Sequence, residues 1–165
     1  MESAVWGLIG TIVGAIASIA TTWLSISSSS KLQEERVRAE RRERANAFQR
    51  ETLLELQEAV HGTLRLVHQA YIEDRDSLRA GTPWSKAMLS DKLDENLRLA
   101  RHRIAILVER VSDDNVRQQV KALMKIASQA TLATSEPEAK AHLDCCSSES
   151  YQVLETLGSA LRSYY

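Results

Sequence analysis

Three rhythms of apolar and polar positions follow one another along the chain. From Ala4 to Ile26 no residue is charged and the apolar character is almost unbroken. A run of about 20 such residues, rising about 1.5 Å each, matches a hydrocarbon core about 30 Å thick. It predicts a transmembrane helix over 4–26, behind a short extracytoplasmic tail of residues 1–3.

From Lys31 to Arg50 the rhythm disappears, because polar residues occupy every side of a helical wheel. A helix tolerates this when its charges pair. Glu34 with Arg38 and Glu40 with Arg44 are i,i+4 pairs with the acid first, the better orientation. Each pair is worth only about 0.2–0.5 kcal/mol, so residues 27–50 read as a solvated juxtamembrane helical stalk. Leu32, Ala39, Asn46, Leu53, Val60 and Val67 recur every seven residues, but the companion positions Glu35, Arg42 and Gln49 are poor coiled-coil knobs. The seam allows a weak or transient coiled coil and does not support a strong one.

Beyond Phe48 the pattern becomes amphipathic. Leu53, Leu56, Val60, Leu64, Val67 and Tyr71 step by three and four, until Gly81 and Pro83 interrupt the chain. Ser90–Asp91 opens a second helix with the stripe Leu93, Leu97, Ala100, Ile104, Leu107 and Val111. Ser112 or Asp113 opens a third, with Val116, Val120, Leu123, Ala127 and Ala130. Ser135, with Glu136 and Pro137 behind it, opens a fourth, with Ala139, Leu143, Cys146, Val153, Leu157, Leu161 and Tyr164. The predicted helices are about 51–79, 91–111, 113–131 and 136–163.

Short connections make successive helices antiparallel neighbours. The expected fold is therefore all-α: a single N-terminal transmembrane helix, a charged helical stalk, and an antiparallel up-down four-helix bundle over 51–165. The second helix, about 30 Å long, covers only the later part of a first helix that starts at 31, so the stalk is expected to lift the bundle from the bilayer.

Composition agrees with helices: six Gly and two Pro in 165 residues, and a single Phe. The net charge of −1 adds more, because it is unevenly spread. Residues 31–50 hold seven Lys/Arg against four Glu, and residues 1–30 carry only Glu2. Positive charge resists translocation, so the C-terminal domain is expected in the cytoplasm and the N-terminus outside, at the cell membrane. Trp6 and Trp23 bracket the run as interfacial anchors. Lys31, Arg36, Arg38, Arg41, Arg42 and Arg44 form the anionic-lipid contact. Ser18-Ile19-Ala20 has the form of a leader cleavage site, yet the acidic Met1-Glu2-Ser3 and the basic flank beyond oppose export.

Small residues crowd one side of the predicted span. Gly10, Gly14, Ser18 and Thr22 fall four apart, with Gly7 and Thr21 close by. Such a stripe admits close helix packing, and hence self-association through the span and stalk.

Candidate chemistry is sparse. Glu58 and His61 have one Glu-x-x-His spacing where a di-iron bundle needs two, and His68, His102 and His142 lack ligand partners. No phosphate-binding loop, nucleophile elbow or zinc spacing occurs, so no catalytic, cofactor or metal residues are assigned and an enzyme is not expected. Nucleic acid is not an expected partner, since the basic stretch lacks stacking aromatics. Cys145 and Cys146 are adjacent and cannot staple distant segments. Cys146 fits the apolar stripe as a structural thiol; the alternative is a redox or acylation pair, with Cys145 the reactive member. The serines of "DCCSSES" (144–150) leave a soft spot in the fourth stripe. Trp84 in the "GTPW" loop is either a partner contact or an aromatic folded back on the bundle.

The leading expectation is a membrane-anchored interaction, scaffold or regulatory module with membrane lipid and a protein as partners. The alternative is a membrane-active, holin-like effector that oligomerises through the small-residue stripe. An enzyme of unknown chemistry is third.

Overall fold

The computed structural model describes the backbone of residues 2–165. It describes side chains at 14, 15, 17, 18, 21–23, 33–84 and 86–165. The fold is all-α. Helix α1 runs Glu2–Arg79, a short 3-10 turn follows at Trp84–Lys86, and α2 (Asp91–Arg110), α3 (Asp114–Leu132) and α4 (Glu136–Arg162) complete the chain. The chain divides into two compact units, Met1–Ala45 and Asn46–Tyr165.

In the first unit every described side chain from Gln33 to Ala45 is exposed. The Glu34–Arg38 and Glu40–Arg44 pairs form, at 3.7 Å and 3.6 Å. Among the described residues no helix is long and apolar enough to cross a membrane. Most side chains of the 4–26 run lie outside the described residues, as do those of Lys31 and Leu32.

The second unit is a helical bundle with one core. Leu53, Leu56, Val60 and Val67 of α1 meet Leu97, Ile104, Leu107 and Val108 of α2, Val120 and Leu123 of α3, and Cys146, Val153 and Leu157 of α4. The α3 stripe is buried at every position its periodicity marks. Val108, which lies outside the predicted α2 stripe, is buried as well. That helix is covered over a wider arc than a single seam requires.

The connections are chemically explicit. At the end of α1 the Thr82 amide donates to the Ser77 carbonyl and the Gly81 amide to the Leu78 carbonyl, both at 3.0 Å. This is the Schellman pattern, and Gly81 supplies its left-handed residue at φ +94°. Ser90 stands at the α2 N-cap, but its amide and hydroxyl both donate to the Glu73 carboxylate of α1, at 2.9 Å and 3.1 Å. Asp113 caps α3, its Oδ1 accepting from the amides of Asn115 and Val116. At the start of α4, Glu138 accepts from the Thr134 amide and hydroxyl, which hold its carboxyl below the usual carboxylate range.

Side chains of α1 tie both ends of the unit. Gln49 donates to the Arg110 carbonyl and accepts from the Ser112 amide, each at 3.0 Å, holding the α2–α3 connection. Arg50 donates to the Tyr164 carbonyl at 2.8 Å. At the opposite end Glu73 holds the start of α2, and the Tyr71 hydroxyl lies 3.5 Å from the Glu136 carboxylate at the start of α4.

Candidate functional site

A groove of about 500 Å³ lies between α1 and α4. Its cause is legible in the α4 stripe. Between Cys146 and Val153 the stripe would place another large apolar residue near position 150, and Ser150 stands there, half-buried. Its hydroxyl turns back to the Ser147 carbonyl at 2.7 Å and fills nothing. The facing α1 side chains, Leu64, Val67, His68, Tyr71 and Arg75, therefore line an open space.

The lining of the groove is of two kinds. Leu64, Val67, Leu143 and Cys146 give it apolar walls. Tyr71, Arg75, Lys140 and Asp144 give it polar groups. The Arg75 guanidinium sits 5.8 Å from the Tyr71 ring centroid, within cation–π range. Tyr71 also continues an aromatic row, 6.4 Å from His68 and 5.8 Å from Trp84.

Arg75 is unusual. Its Nε is buried and has no hydrogen-bond partner. The nearest carboxylate oxygen, on Asp76, stands 3.9 Å away, beyond hydrogen-bond reach. A buried donor without an acceptor costs about 1–3 kcal/mol.

Cys146 is 3 % exposed and burial pushes its thiol up to about 11, with Cys145 adding to the rise. Cys145 is exposed. The adjacent thiols thus occupy different environments, and Cys146 takes a core position. Trp84 is half-buried, and its indole Nε1 donates to the Ala133 carbonyl at 3.0 Å. The loop aromatic folds back and ties the α1–α2 connection to the end of α3.

The residues expected at a membrane divide. At Trp6, Gly7, Gly10 and Lys31 the structure describes the backbone alone. Gly14, Ser18, Thr21 and Thr22 are exposed, and Trp23 is 70 % exposed. The Thr21 and Thr22 hydroxyls donate to the Ala17 and Ser18 carbonyls, each at 2.8 Å. Arg36, Arg38, Arg41, Arg42 and Arg44 are exposed. Glu58 and His61 are also exposed, and among the described residues no three His, Cys, Asp or Glu side chains gather as metal ligands would.

Sequence reasoning marks the soft spot in α4 but not the cations beside it. Arg75 and Lys140 sit on different helices, and only packing brings them to one groove. Compared with protein-family models, curated proteins and solved structures, the chain matches none.

Proposed function

We propose that this protein is a single-pass membrane-anchored interaction module. In this reading residues 4–26 span the bilayer with the N-terminus outside. Residues 27–50 are the charged stalk, and an antiparallel up-down four-helix bundle in the cytoplasm engages a partner. The observation that carries it is the uncharged run from Ala4 to Ile26 followed directly by the basic band Lys31–Arg44. The exposed charges from Gln33 to Ala45 support a solvated stalk, and the separate core of residues 46–165 supports a bundle that holds itself together.

The hydroxyls of the small-residue stripe bear on the effector reading. A pore needs a continuous face of polar groups turned to water, and the stripe offers only Ser and Thr hydroxyls, of which Thr21 and Thr22 donate their protons to their own helix. That favours an anchor which packs against another helix.

Expression of the full chain in cells tests both readings. The anchor reading expects the chain to stay in the membrane pellet through alkaline carbonate washing, with no dye leakage or growth arrest. Release by carbonate would refute the span, and leakage at modest expression would favour the effector.

A further inference from the structure

We infer that the α1–α4 groove binds a small amphipathic organic acid, with its anionic head at Arg75 and Lys140 and its apolar body against Leu64, Val67 and Leu143. The inference goes beyond the membrane reading and does not depend on it, since every group concerned belongs to the bundle of residues 46–165.

Size comes first. A space of about 500 Å³ falls in the range that takes small organic ligands rather than single ions or water. Chemistry narrows the class. The walls are apolar enough to hold a hydrocarbon body, and two cations line the same space from opposite helices. Lys140 has no ion pair among the described residues, although Asp144 lies one turn further along α4. The Arg75 guanidinium lines the same space and is a charge-assisted donor for a carboxylate or phosphate oxygen. The Tyr71 ring lies 5.8 Å from that guanidinium and favours its placement beside the groove. Asp144 is the one acidic lining group.

Titration calorimetry on the full chain in a non-ionic detergent, against a detergent blank, provides the test. The probes are hexanoate, hexyl phosphate, inorganic phosphate, hexanol and hexylamine. Hexanoate or hexyl phosphate is expected to bind at least about tenfold more tightly than hexanol, as charge-assisted hydrogen bonds warrant, and hexylamine not at all. The tighter of the two anions identifies the head group. Lys140→Gln changes an exposed side chain and is expected to weaken the anion about tenfold without altering the melting temperature. Arg75→Gln should weaken it likewise, and Ser150→Leu should abolish binding by filling the groove.

Three results would overturn the inference. They are equal binding of hexanol and the anions, unchanged anion binding in both Lys140→Gln and Arg75→Gln, and inorganic phosphate binding as tightly as hexyl phosphate.

Discussion

Cys145 and Cys146 are neighbours in sequence and strangers in environment. An impermeant thiol reagent is expected to modify Cys145 alone in the folded chain and both cysteines in denaturant, as mass mapping would record. The Cys146 thiol also couples to stability. Its folded value of about 11 stands above the ordinary 9.0, so the folded state keeps the proton that the unfolded chain releases. The stabilisation is whole below pH 9.0 and is lost as pH rises toward about 11. Cys146→Ser should flatten that alkaline decline. Asp74 behaves with the same sign at the acid end: burial, then the neighbouring Glu73 charge, raises its carboxyl above 3.8. Its ionised form is therefore disfavoured in the fold, and Asp74→Asn is expected to stabilise at pH 7. The gain should stay below about 1 kcal/mol, because the group is partly solvated, and should vanish at pH 3 in thermal melts.

At the scale of elements, much is readable in the sequence. The α3 stripe Val116, Val120, Leu123, Ala127 and Ala130 is buried throughout, because a helix between two neighbours repeats its contacts every three or four residues. Capping was less legible. Ser90 looks like a self-sufficient N-cap, but its hydroxyl serves Glu73, a tertiary partner 17 residues away that no local pattern announces. The groove was half legible: the serines of α4 show where volume is missing, while the position of Arg75 opposite Lys140 depends on helix packing. Two substitutions probe these elements. Gly81→Ala forces a Cβ into φ +94° and should cost about 1–2 kcal/mol in denaturant melts. Ser150→Leu restores the interrupted stripe and should add about 0.5–2 kcal/mol, a stability gained where binding is lost.

At the scale of the whole molecule, the sequence divides its labour between two kinds of surface. The band Lys31–Arg44 is charged on every side, which we propose keeps it in water beside an anionic surface, and the stripes of residues 51–165 close on one another. The proposed anchor explains why the two are joined in one chain: localisation comes from the first and recognition from the second. The measurement that tests this most directly is labelling of Cys145 by an impermeant maleimide in right-side-out and inverted membrane vesicles, after carbonate washing. The account predicts a chain that stays with the membrane and is labelled only in inverted vesicles. Labelling in right-side-out vesicles, or a chain washed away before labelling begins, would contradict it.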